Sequence, residues 1–236
     1  MKERREYVAV LAFLAAIIGI SGCSRQKEEK LTKYDTQFFE LFDTVTSVTG
    51  YARDEKTFQS YVDVFYDELK EYHQLYDIYN DYEGINNIKT INDHAGIEPV
   101  EVDDKIIQML EEAVDIYELT DGNMNVAMGS VLSIWHEYRE AGLKHPEQAQ
   151  LPPQEELEEA AKHMDIRKMV IDPEKKTVYL EDPDMSLDVG AIAKGYAAEM
   201  ASRKVEEAGL KHALISVGGN IRCIGTKPDG QKWVVG

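Results

Sequence analysis

Apolar side chains return at steps of three and four through Phe58, Val62, Phe65, Tyr66, Leu69, Tyr72 and Leu75. That spacing predicts an amphipathic helix near 56–77. A second stripe of Ile107, Leu110, Val114 and Tyr117 predicts a helix near 104–120. Asp103 is its N-cap, and Thr120, Asp121 and Gly122 close it as a glycine C-cap. A third helix is expected from Gly129 to Ala141, with Val131, Leu132 and Trp135 facing inward. Pro152 and Pro153 mark a linker, Glu155 to His163 a short exposed helix, and 194–208 a last helix.

The other pattern is alternation. Phe42 to Tyr51 is rich in Thr and Val and predicts a strand, with Gly50 breaking it. Met169 to Asp172 and Thr177 to Leu180 flank a polar turn at Pro173 and predict a β-hairpin. Ala213 to Val217, Ile221 to Gly225 and Trp233 to Val235 predict strands, the first two separated by Gly218 and Gly219. Tyr79 to Asn92 is a polar loop dense in Asn, Asp and Gly. Helices mixed with hairpins predict an α+β fold with a mixed or antiparallel sheet.

The first residues stand apart. Lys2, Arg4 and Arg5 form a basic start, and Val8 to Ile20 is an apolar run short for a membrane span. Ile20, Ser21, Gly22 and Cys23 match a bacterial lipobox. The small residues admit a peptidase, and the thiol accepts a diacylglyceryl group. Residues 1–22 are therefore expected to be a lipoprotein signal peptide, with Cys23 the lipidated N-terminus of the remaining 236 − 22 = 214 residues. Residues 23–37 are polar and charged and are expected to form a flexible tether, leaving 38–236 as the folded domain. Cys223 then has no cysteine to pair with in the domain and reads as a buried small hydrophobe.

A net charge of −18 excludes nucleic acid as a partner and broad electrostatic adhesion to anionic lipid. A chain this acidic binds a polyanion through a metal ion, backbone N–H groups and a few placed lysines.

Asp188 to Ala198 offers such a place: a carboxylate, a glycine turn at Gly190, and Lys194 at the opening of a helix. Amides, an ammonium and an acid around one small volume suit a nucleotide pyrophosphate with a divalent metal. Strand-to-helix turns also carry Asp and Gly for structural reasons alone. Asn123, Met124 and Asn125 precede an apolar helix and either hold the polar edge of a flat heterocycle or simply connect two helices. Tyr79 can stack on a flavin or adenine ring, or sit at the core's edge. Gly218 and Gly219 permit a tight turn and close backbone approach to a ligand, or a plain hairpin. The six histidines show no metal-ligand spacing.

Taken in order, several segments resemble the ApbE family of FAD:protein FMN transferases. They are Phe42 to Thr44, Tyr79 with the loop to Asn92, Asp121 to Asn125 with Trp135, Asp188 to Tyr196, and Val217 to Asn220. The resemblance runs from about Phe42 to Gly236. It implies an ApbE-like, T-fold-like domain that takes FAD and Mg²⁺, attaches FMN through a phosphoester to a Thr or Ser of a target flavoprotein, and releases AMP. It implies Phe42 and Tyr79 against the flavin or adenine, and Asn123, Met124 and Asn125 in contact with FAD. It implies Asp188 on a polar edge of FAD, Lys194 near the pyrophosphate, and the Ala191 carbonyl as a Mg²⁺ ligand, with Asp188 and Lys194 carrying the chemistry. Many members are lipoproteins on the outer face of the cytoplasmic membrane, in keeping with Cys23.

Three departures bear on this. Asn125 stands where many members have Asp, and Phe42 and Asp43 stand where the family often has Met and Gly. The chain also stops at Gly236, before the family's later metal-binding segment. The expectation is a fragment with an incomplete metal site and little or no transferase activity. Two alternatives are an extracytoplasmic FAD pyrophosphatase, with water as acceptor, and a flavin-binding lipoprotein without chemistry.

Overall fold

The computed structural model describes residues 30–236. The expected signal peptide and Cys23 lie outside the described residues.

The chain opens with strand β1 (Thr32–Phe38), antiparallel to β2 (Thr46–Ala52). The expected tether over 23–37 therefore gives way at Thr32. Tyr34 and Phe38 turn inward on alternate positions and meet Phe58 and Phe65, so a segment polar in composition still supplies a half-buried strand. The strand expected from Phe42 begins only at Thr46, because Phe42 and Asp43 form a turn between β1 and β2.

Helix α1 (Glu55–Leu75) follows, capped by Asp54, whose carboxylate accepts from the Thr57 N–H at 2.7 Å. Its buried face is Phe58, Val62, Phe65, Leu69, Tyr72 and Leu75, the stripe read from spacing. The polar loop then contains a short helix, α2 (Ile88–Asp93), that its polarity hid. Asn87 and Thr90 cap it reciprocally, and Ile88 and Ile91 bury it. Strand β3 (Val100–Glu101) leads to α3 (Asp104–Leu119), capped by Asp103 as expected. Gly122 closes α3 in the left-handed region (φ 79°), its N–H donating to the Tyr117 carbonyl at 2.8 Å.

A 3₁₀ turn (Val126–Met128) runs directly into α4 (Gly129–Lys144), and α5 (Gln154–Ala160) follows the proline linker. Strands β4 (Met169–Asp172) and β5 (Thr177–Leu180) form the expected hairpin, and β5 also pairs with β3. Helix α6 (Ala193–Glu207) precedes β6 (Ala213–Val217) and β7 (Asn220–Ile224). Both sheets, β1-β2-β6-β7 and β3-β5-β4, are antiparallel throughout. Trp233 to Val235 is not a strand; Trp233 instead packs near Tyr51, with centroids 6.0 Å apart.

The core lies between the four-stranded sheet and helices α1 and α6. Val48, Ala213, Ile215 and Val217 face it from the sheet, and Ala197, Ala198, Ala201 and Val205 from α6. The small side chains of α6 let it approach both α1 and the sheet. Cys223 is half-buried rather than buried. Among the described residues no helix is long and apolar enough to cross a membrane.

An ion-pair cluster stands just before the segment 185–188. Asp182 is buried and accepts from Lys168 Nζ at 2.7 Å, His163 Nδ1 at 3.0 Å and the Asp184 N–H at 3.1 Å. The Lys168 ammonium, opposed by burial and helped by the Asp184 amide and His163, lowers the Asp182 carboxyl to about 2 from its ordinary 3.8. A lowered folded-state value means stability that is present above the ordinary value and lost as pH falls through about 2. Asp182→Asn is expected to cost about 1–2 kcal/mol at neutral pH. Denaturant melts of the two proteins should converge as pH drops from about 4 toward 2; a gap that persists at the acid end would contradict the assignment.

Candidate functional site

The segment 185–188 carries Asp188 and belongs to neither sheet. Its backbone is satisfied sideways. The Leu187 N–H donates to Asn92 Oδ1 at 2.7 Å, and Asn92 Nδ2 donates to the Leu187 carbonyl at 3.0 Å. On the other side the Asp188 N–H donates to the Val126 carbonyl at 2.8 Å, and the Gly129 N–H to the Ser186 carbonyl at 2.9 Å. Gly129 is required there: a Cβ would lie 2.5 Å from the Ser186 carbonyl oxygen.

Beyond Leu187 the chain turns. Asp188 Oδ1 accepts from the Gly190 N–H at 2.8 Å, and the turn feeds α6, whose N-terminus no side chain caps. Lys194 is the second residue of α6. Among the described residues its ammonium makes no ion pair. Amides at an uncapped helix start together with an unpaired ammonium suit an anion. The hairpin turn at Gly218 and Gly219 (φ 55° and 88°) comes close by, with Asn220 Oδ1 at 3.4 Å from where a Gly195 Cβ would sit.

Phe42, Tyr79, Asp188 and Lys194 line one cavity of about 370 Å³, together with Asp43, His73 and Asp77. These residues come from the β1–β2 turn, the end of α1, the loop after it and the start of α6. Phe42 and Asp43 are both left-handed (φ 55° and 50°), in a turn closed by the Thr44 N–H on the Leu41 carbonyl at 3.3 Å. Two consecutive non-glycine residues in that region cost on the order of 1 kcal/mol each, a cost characteristic of functional turns.

Asp77 anchors the opposite wall. It is buried and accepts from the Tyr79 N–H (2.7 Å), the Asn80 N–H (3.0 Å), Asn80 Nδ2 (2.9 Å) and the Tyr82 hydroxyl (2.7 Å). Burial pushes its carboxyl up, but these hydrogen bonds outweigh burial and hold it below the usual value. Tyr82 is pushed up to about 12, by burial first and then by its bond to Asp77. Tyr79 is also raised, by burial and then by the charge of Asp188, with Arg139 opposing and Asp77 and Asp43 adding. Three carboxylates therefore face one phenol.

A second cavity of about 600 Å³ shares Tyr79 and Asp188 with the first. Leu132, Trp135, Arg139 and Leu143 of α4 line it. The expectation that Leu132 and Trp135 face inward is thus corrected: they are 37% and 42% exposed, and their stripe faces this groove. Tyr79 leans on His136 of the same helix, with centroids 5.4 Å apart.

The remaining expected site residues stand elsewhere. Asn123, Met124 and Asn125 do not line either cavity. Asn123 Nδ2 donates to the Thr120 carbonyl at 2.7 Å, and the Met124 N–H to Thr120 Oγ1 at 3.1 Å. Asn125 Oδ1 caps the 3₁₀ turn at the Ala127 N–H (2.9 Å), while its Nδ2 donates to the Met164 carbonyl (2.9 Å). Ala191 is exposed in the turn between Gly190 and α6. Asp43, His73, Asp77 and Asn92 were not singled out from the sequence as site residues, since an acid in a turn or an Asn in a polar loop carries no periodic signal.

A hard divalent cation takes oxygen donors. Asp77 has spent its lone pairs on four hydrogen bonds, so Asp43 and Asp188 are the cavity's available carboxylates. A separate trio, His163, Asp182 and Asp184, brings potential ligand atoms within 4.8 Å of one another. Spacing along the chain did not reveal it because its members meet only in the fold. Lys168 already neutralises Asp182 there.

A sequence profile of the ApbE family matches residues 42–236. An FAD:protein FMN transferase of Vibrio cholerae is 25% identical over 223 residues, covering 94% of this chain and 63% of its own length. One from Treponema pallidum is 32% identical over 145 residues, covering 59% of this chain and 38% of its own. The crystal structure of the ApbE protein from Thermotoga maritima is similar with TM-score 0.69 at 26% identity, over 83% of this chain and 60% of that one. The flavin transferase ApbE from Vibrio cholerae, at 21% identity and TM-score 0.68 over 86% of this chain and 63% of that one, supports the fold alone. The chain spans about three-fifths or less of the length of these relatives.

Proposed function

The chain belongs to the ApbE family, and from that premise we propose that it is a Mg²⁺-dependent flavin transferase, moving FMN from FAD to a Thr or Ser hydroxyl of a target flavoprotein. The observation that carries the reading is the convergence of Phe42, of Tyr79 and of the turn that holds Asp188 and Lys194 on one cavity from three distant parts of the chain. Its aromatic members offer a face to a flat ring, and its ammonium and helix start suit a pyrophosphate.

The electrostatics support a metal requirement. Asp43, Asp77 and Asp188 outnumber Lys194 around the cavity, so a dinucleotide entering without a cation meets repulsion. Asp43 and Asp188 are the residues that would hold Mg²⁺, with the Ala191 carbonyl as a further oxygen donor. Bound there, the ion would offset charge on the phosphate oxygens. Lys194 adds its charge at the pyrophosphate. The acceptor hydroxyl oxygen bonds to the FMN phosphorus and gives up its proton to water, the phosphoanhydride bond breaks, and AMP departs with the electron pair. Phe42 and Tyr79 orient the ring so that the phosphorus is presented in line. With Cys23 lipidated, the enzyme would work on the outer face of the membrane on exported redox proteins.

The test is a titration of FAD followed by flavin fluorescence, with Mg²⁺ and with chelator, plus mass spectrometry of a candidate target. Magnesium-dependent affinity is expected, and a target mass gain equal to FMN where the family's full set of metal ligands is present. FMN and AMP released without any modified protein would assign the pyrophosphatase reaction. Tight FAD binding with no AMP would leave a flavin-holding protein, and absence of magnesium-dependent affinity would end the proposal.

A further inference from the structure

One hydrogen-bonded chain ties together the two walls of the flavin cavity, and His73 stands at its centre. The Phe42 N–H donates to His73 Nδ1 at 3.3 Å, and the Phe42 ring meets the imidazole edge-on at 5.4 Å between centroids. An Nδ1 that accepts leaves the neutral ring's proton on Nε2, which faces the Tyr82 hydroxyl at 3.4 Å. That hydroxyl donates to Asp77 Oδ2 at 2.7 Å, and Asp77 holds the Tyr79 and Asn80 amides.

We infer that His73 is a positioning residue: it holds the left-handed Phe42–Asp43 turn and, through Tyr82 and Asp77, sets that turn against the Tyr79 wall. The inference rests on the flavin reading for its effect on FAD, and on geometry alone for the relay. The need is physical. Phe42 and Asp43 occupy a backbone region that neither residue favours (φ 55° and 50°), so the turn keeps its shape only while neighbours over-determine it. The Phe42 amide has a side-chain nitrogen as its partner. A strand or helix would supply a carbonyl there, and this turn supplies His73. The same imidazole lines the cavity that Phe42 and Asp43 form.

The test compares His73→Leu, His73→Asn and Tyr82→Phe in the full chain, with two readouts. The first is amide hydrogen exchange without flavin. In His73→Leu, exchange in 41–44 should quicken by about tenfold, an opening confined to the turn. In His73→Asn the side-chain oxygen stands near the place of Nδ1, so protection should return. In Tyr82→Phe the 79–80 amides should quicken. The second readout is FAD affinity with Mg²⁺, expected to fall about tenfold in His73→Leu and to recover in His73→Asn. Equal exchange at 41–44 in His73→Leu and the unsubstituted chain, or identical behaviour of the Leu and Asn variants, overturns the inference. If His73→Leu does not fold, unchanged 79–80 exchange in Tyr82→Phe overturns it instead. An unsubstituted chain without flavin affinity would remove the transferase reading, while the exchange rates would still decide the relay.

Discussion

Asn92→Ala is expected to destabilise the protein by about 2–4 kcal/mol, because it leaves two backbone groups of one residue without partners. Asn92 reaches across 95 positions of sequence to serve both the N–H and the C=O of Leu187, at 2.7 and 3.0 Å. Leu187 is buried at 1% exposure, so water cannot replace the lost bonds. For a domain of this size each kcal/mol moves Tm by about 2–4 °C, and denaturant melts read the same loss directly. Asn92→Asp is a sharper version. It keeps the acceptor for the Leu187 N–H but sets a carboxylate against the Leu187 carbonyl, and it should be no milder than alanine. FAD affinity should fall in both, since Asp188 is the next residue along. A loss under about 0.5 kcal/mol, within the range of ordinary surface substitutions, would show that the clamp is not needed to hold the segment 185–188.

Lys194→Ala is expected to weaken magnesium-dependent FAD binding by about 10- to 100-fold, the usual value of one charge-assisted contact to a phosphate. Stability should barely change, because Lys194 is half-exposed and makes no ion pair among the described residues. Raised salt should narrow the gap between variant and parent. Asp188→Asn is the companion. The amide oxygen can still accept from the Gly190 N–H now 2.8 Å away, so the turn survives while the charge goes. Affinity should drop and its magnesium dependence should flatten. Unchanged affinity in both variants would remove the pyrophosphate from this cavity.

Much of the architecture was legible in the chain. The stripe from Phe58 to Leu75 became the buried face of α1, and Asp103 capped α3, because helical period and capping chemistry act over a few residues. The 169–180 hairpin was equally local. The errors were of two kinds. Trp135 and Leu132 follow helical spacing, but the stripe they form faces a groove, and spacing does not say what lies opposite. Thr32 to Gln37 is polar and charged and falls in the expected tether, yet with Phe38 it gains a ladder from β2 and an apolar face from Tyr34 and Phe38. Polar residues join a strand when a partner lies alongside, and the partner lies beyond the window in which composition is read.

The site divides in the same way. Asp188, Gly190 and Lys194 could be recognised together because the turn that joins them is seven residues of continuous chain, with its acceptor, its N–H groups and its cation in fixed order. Their carboxylate neighbours Asp43 and Asp77, the His73 relay and the Asn92 clamp are single polar residues that no local pattern joins to that turn. Asp77 finds its partners locally, in Tyr79, Asn80 and Tyr82, but the other pairings form through chain folding across long separations, as when Phe42 meets His73 or Asn92 meets Leu187. Local order could be read along the backbone; these pairings depend on which surfaces the core brings within hydrogen-bonding distance.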